Sequence, residues 1–205
     1  MGKNAHEPNS LSSLPGTPPG TSVKAPADGP ARGPKGFRLK PGQILCGDLD
    51  MRIDRNGVWY HHGSPIGRKE LVRLFSTVLR RDEAGDYWLI TPAEVGRIEV
   101  EDAPFMAVEL TTSGAGADQI LRLRTNVDKI VTVDADHPIR CDIDPETGEP
   151  SPTLVIDGGV EARIARAVYY ELVAMGAEER HDGETSFGVR SSGVFFPLGK
   201  LDGNR

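Results

Sequence analysis

Two groups of side chains in this sequence have the types and spacing for chemistry. The first is rich in carboxylates and imidazoles: Asp48, Asp50 and Asp54 precede the pair His61-His62, and His137 follows far downstream. Such residues are the usual nitrogen and oxygen ligands of a transition metal. The spacing does not support that use. There is no HExxH helix, and Cys46 and Cys141 stand too far apart for a zinc signature. Adjacent histidines on a strand also point to opposite faces, so at most one of the pair serves a given centre. No metal and no cofactor is therefore expected. A phosphate-binding P-loop and a GxSxG nucleophile elbow are absent from the sequence. Gly114-Ala115-Gly116 joins two predicted strands, where a dinucleotide fingerprint joins a strand to a helix. Asp142–Glu149 fails as a calcium loop, because Thr147 stands where the sharp turn needs glycine. No catalytic residue is assigned, and an enzyme is not the favoured reading.

The second group is basic. Arg68, Lys69 and Arg73 lie at the start of a predicted helix whose first amides, around Gly63–Gly67, are free to hold an anion. Arg163 and Arg166 repeat the arrangement at the start of a second predicted helix. Two such openings facing each other would form one cationic cleft between two halves of the molecule.

The elements that would position these groups follow from periodicity. Residues 44–60 read as two strands around Asn56-Gly57, with Ile53 opposite Tyr60 in a two-residue loop or opposite Trp59 in a bulged three-residue loop. Ser64 is an N-cap candidate and Pro65 suits the first helical position. Leu71, Leu74, Phe75, Val78 and Leu79 then form one apolar stripe, closed by Arg80 and Arg81. Strands are predicted at Tyr87–Ile90, Arg97–Val100, Phe105–Thr112, Gln119–Arg124, Ile130–Val133, Ile139–Ile143 and Thr153–Ile156. A second helix follows Asp157-Gly158, with Ile164, Ala167, Val168, Leu172 and Met175 inward and Gly176 past its end. A closing hairpin joins Phe187–Arg190 to Val194–Leu198. The order hairpin, helix, two strands thus recurs at 46–101 and 138–198. The expected fold is α+β: two related units with additional antiparallel strands between them and two main helices.

Composition sets the wider frame. The chain has 205 residues, a net charge of −6 and two cysteines, which points to a reducing cytoplasm rather than a disulfide framework. No stretch is apolar enough to span a membrane, and the N-terminus has no signal-peptide core. Residues 1–41 hold eight of the sixteen prolines and a charge of +4, which leaves −10 for residues 42–205. Three divisions are expected: a disordered basic tail at 1–41, an N-terminal α+β unit at 42–102 and a β-rich C-terminal unit at 103–205. The acidic body argues against nucleic-acid binding.

The stretch 46–94, together with EVEDAPF at 99–105, TNVD at 125–128, DHPIR at 136–140, the segment 158–173 and SSGVFFPLG at 191–199, resembles the DUF1285 family of bacterial proteins. The resemblance implies a two-part α+β fold with repeated motifs and a role in ligand sensing or signal transduction. It brings no reaction and no catalytic residue. The positions it offers for lining a shared pocket are Trp59, His62, Ser64, Arg68, Asn126, His137 and Arg163, with Lys69 added by the helix start. The function expected is a module that binds or senses a small anionic ligand. A protein-interaction adaptor is the alternative, and a metal-dependent hydrolase ranks below both.

Overall fold

A computed structural model describes residues 33–145, 147–181 and 184–200. The first described elements are β1 (Ile44–Ile53), β2 (Trp59–His61) and β3 (Ser64–Pro65), followed by α1 (Lys69–Val78), β4 (Leu79–Arg81), β5 (Tyr87–Ile90) and β6 (Glu94–Val100). A second series follows: β7 (Phe105–Ser113), β8 (Ile120–Thr125), β9 (Ile130–Thr132), β10 (Ile139–Ile143), β11 (Pro150–Val155) and β12 (Glu161–Ile164). The last described elements are α2 (Arg166–Ala174), β13 (Ala177–His181), β14 (Glu184–Ser191) and β15 (Val194–Lys200).

The expected balance of α and β is wrong. Among the described residues strands make up 49% and helical residues, short 3-10 turns included, 15%, in two six-stranded sheets, one three-stranded sheet and two short α-helices. The strands from Phe105 onward are not additions between two units. They belong to a second sheet ordered β10-β11-β12-β7-β8-β9, beside a first sheet ordered β3-β2-β1-β6-β5-β4. In each sheet two antiparallel meanders of three strands are joined by one parallel pair, β1 with β6 and β7 with β12. The recurring unit is thus a strand order, carried by 44–100 and 105–164, and not the hairpin–helix–strands order read at 46–101 and 138–198.

Local causes explain each displaced boundary. Ser64-Pro65 pairs with Tyr60 and His61 as the edge strand of its sheet, where proline's missing N–H costs no ladder bond. The helix therefore starts only at Lys69, with Arg68 in extended conformation before it. Arg80 and Arg81 do not close the helix but pair with Trp88 and Tyr87. Leu79 is 1% exposed as a strand residue, whereas Leu74 on the expected stripe is 61% exposed. Ile164 also leaves the second helix. Glu161-Ala162-Arg163-Ile164 alternates outward and inward, and Ile164 lies four residues before Val168, so a period of two and a helical stripe both fit it.

The first hairpin takes the three-residue loop, pairing Ile53 with Trp59, with Gly57 at φ 75° as that turn requires. Ile53, Trp59, Leu121, Leu154 and Leu172, drawn from both large sheets and α2, belong to one continuous apolar core. The closing hairpin is fastened to the second sheet: Ser191 Oγ accepts from Leu121 N at 2.9 Å and donates to the Val133 carbonyl at 2.6 Å. Of the expected tail, residues 1–32 lie outside the described residues. Pro34 is buried, and Lys35 N donates to Asp82 Oδ2 at 2.9 Å. Among the described residues no helix is long and apolar enough to cross a membrane.

Candidate anion site between the two sheets

The residues expected to form a pocket are scattered, and several have structural duties. Trp59 is a core residue, 2% exposed, with its ring 6.2 Å from that of Phe75 on α1; its Nε1 donates to no acceptor among the described residues. Asn126 fastens the sheets together, its Oδ1 accepting from Met106 N at 3.1 Å and its Nδ2 donating to the Gly57 carbonyl at 3.3 Å. Arg163, which lies on β12 and not at a helix start, pairs with Asp102 at 2.9 Å and donates to the Arg55 carbonyl at 3.1 Å. Arg166 at the start of α2 donates to Tyr170 Oη at 2.9 Å. Ser64, Arg68 and Lys69 are exposed around the start of α1.

The histidine pair departs from strand geometry. His62 has left β2 with φ 48°, so its ring lies 4.1 Å from that of His61 and its Nδ1 reaches Asp50 at 2.7 Å. The opposite-face argument fails there because the strand ends between the two residues. His137 is remote from that pair and sits between Asp134 and Asp157, each at 3.1 Å. Among the described residues no three histidine, cysteine or carboxylate side chains are grouped to hold a metal.

Two large concavities remain as places for a ligand, and charge separates them. One, of about 550 Å³, runs across the first sheet beside Asp48, Asp50, Asp86 and Glu99. Its two cations are already neutralised: Arg97 pairs with Asp48 at 2.6 Å and Asp86 at 3.6 Å, and Arg52 pairs with Glu101. An anion would meet surplus negative charge there.

The other, of about 530 Å³, lies between the two sheets. Its cations are Arg73 on α1, Arg80 on β4 and Lys129 in the β8–β9 turn, and its anions are Asp128 and Asp157. Arg73 is paired with Asp128, which also accepts from Arg124 at 2.8 Å. Lys129 is paired with Asp157 at 2.8 Å. Arg80 has no carboxylate partner among the described residues; its Nη1 donates to the carbonyls of Thr77 at 3.0 Å and Leu79 at 2.6 Å. The hydrogen bond from Lys129, then that from His137, holds the Asp157 carboxyl down to about 2, so it is an anion throughout the working range. Gly158 makes room for Arg80. With φ 73° it lies under the arginine stem, and a Cβ there would come within 2.6 Å of Arg80 Cδ. None of the eight positions expected to bind lines this cavity, though Asp157, on its rim, is the partner of His137.

Two six-stranded sheets of one strand order make this a two-unit β-rich protein, and comparison with known proteins gives its family. Residues 40–103 match the domain of unknown function DUF1285, N-terminal domain, and residues 104–198 match the protein of unknown function DUF1285, C-terminal domain. A crystal structure of a DUF1285 family protein from Silicibacter pomeroyi DSS-3 is similar at 41% identity and a TM-score of 0.70, over 84% of this chain and 93% of that one. A DUF1285 family protein from Shewanella baltica OS155 is similar at 24% identity and a TM-score of 0.48, over 60% of this chain and 89% of that one. No curated protein matches the chain. The chain belongs to the DUF1285 family.

Proposed function

We propose that this protein is a small-molecule binding module of a regulatory system, and that its ligand is a small anion held in the cavity between the two sheets. The observation that carries the reading is the Arg80 guanidinium: it is the cavity's one cation without a carboxylate partner among the described residues. An unpaired guanidinium with hydrogen-bonding capacity to spare recognises carboxylates and phosphates through charge-assisted bonds. The position at the junction supports a sensing role. A ligand touching α1, β4 and the turns of the second sheet contacts both units at once, so its binding energy can bias how they are held. The expected cleft at Arg68 and Arg163 is replaced here by one built around Arg80.

A thermal-shift screen of phosphates, nucleotides and carboxylates tests this. At least one class should stabilise the protein saturably, by about 2.7 kcal/mol at a hundredfold excess over its Kd. Arg80→Gln should remove that stabilisation while leaving the unliganded melting temperature within a few degrees. A screen without any saturable response contradicts the proposal.

A further inference from the structure

The geometry points to a narrower ligand class at the same cavity: a monoanionic carboxylate carried on an apolar body, such as a medium-chain or aryl-substituted organic acid. This rests on the reading of the cavity as an anion site. Two independent features of its lining select the class.

Charge sets the head group. Three cations face two carboxylates in the lining, a surplus of a single positive charge, and that surplus resides on Arg80. One monoanion neutralises it. A phosphate monoester, with a charge near −2 at neutral pH, would be left in excess beside Asp128 and Asp157. The guanidinium itself favours a planar partner. Its Nη1 is occupied by the Thr77 and Leu79 carbonyls, whereas Nε and Nη2 make no hydrogen bond among the described residues. Those two nitrogens form one edge of the fork, the edge that meets a carboxylate through two parallel bonds.

Apolarity sets the body. Leu79, Phe105, Val127, Ile156 and Val160 all line the cavity and are all buried, none more than 7% exposed. They come from β4, β7, the turn after β8 and the connection between β11 and β12, so the apolar part of the lining is a wall of the core. A small hydrophilic anion such as phosphate has no apolar surface to place against that wall. An alkyl or aryl group would pack against it and take its own apolar surface out of water, with the gain in affinity rising with the ligand area so buried. The cavity, about 530 Å³, falls in the size range of sites for small organic ligands.

Calorimetric titration of the full chain with octanoate, butyrate, octanamide, inorganic phosphate and adenosine monophosphate tests the inference. Octanoate is expected to bind, with affinity rising up to about fourfold per methylene from butyrate onward. Octanamide, with the same body and no charge, is expected to bind at least tenfold more weakly. Arg80→Gln should bring octanoate down to the octanamide level, and Arg80→Lys, which keeps the charge without the fork, should recover only part of the loss. The melting curve of each variant establishes that it is folded. Tighter binding of phosphate or the nucleotide than of octanoate overturns the carboxylate inference and leaves the anion site standing. Equal affinity for octanoate and octanamide also overturns it. If none of the five probes binds, the anion site falls with it.

Discussion

His137 lies at the centre of a small charge network. Burial alone would lower its pKa, but the hydrogen bonds its ring donates to Asp157 and Asp134 outweigh that and raise it above 6.5. Stabilisation by the imidazolium is therefore complete below about pH 6.5 and is lost as the pH rises through the elevated native value. Asp157 behaves oppositely: its contribution is present above 3.8 and is lost as the pH falls toward about 2. Urea denaturation across pH should accordingly show falling stability on the alkaline side of 6.5, and His137→Gln should flatten that limb. Persistence of the limb in the variant would remove His137 from the account. Gly158 gives a second residue-level prediction. Gly158→Ala forces a side chain into left-handed backbone, a cost of about 1 kcal/mol, and displaces the Arg80 stem. It should lower both the melting temperature and the anion response.

At the scale of elements, Asp82 has the clearest duty. Its carboxylate, 7% exposed, accepts from the backbone amides of Lys35, Ala84 and Asp86 and from Trp88 Nε1. The desolvation penalty would raise its pKa, yet these four donors lower it. Both oxygens are needed, so Asp82→Asn leaves donors facing an amide NH₂. The expected cost is about 3 kcal/mol in urea denaturation, with faster proteolysis between residues 33 and 40. An unchanged proteolysis rate would separate Asp82 from the docking of that segment. Some elements are legible in the sequence with little ambiguity. The sequence predicts Tyr87–Ile90 and Ile139–Ile143 with their observed bounds, because β-rich residues or strict alternation between turn residues leave little choice. The two- and three-residue strands β3 and β4 carry no period, and β12 shares its period with the helix after it. Arg80 was visible only as a cation near a helix end. Its role depends on Asp157 and Gly158, more than seventy residues away, and no local pattern reports that.

For the whole molecule, the recurrence of one strand order in two sheets accounts for the location of the cavity. Each sheet contributes turns and strand ends to the junction, where Arg163–Asp102 and Asn126–Gly57 hold the two together. Between these ties remains a hollow with a buried apolar wall and, among the described residues, one guanidinium without a carboxylate partner. The most direct test follows the Arg80 Nε–Hε resonance by heteronuclear NMR during titration with octanoate. A saturable downfield shift of that proton, absent with octanamide, is the predicted result. Saturation of octanoate binding elsewhere on the protein, with the Arg80 resonance unmoved, would contradict the assignment of this cavity as the binding site.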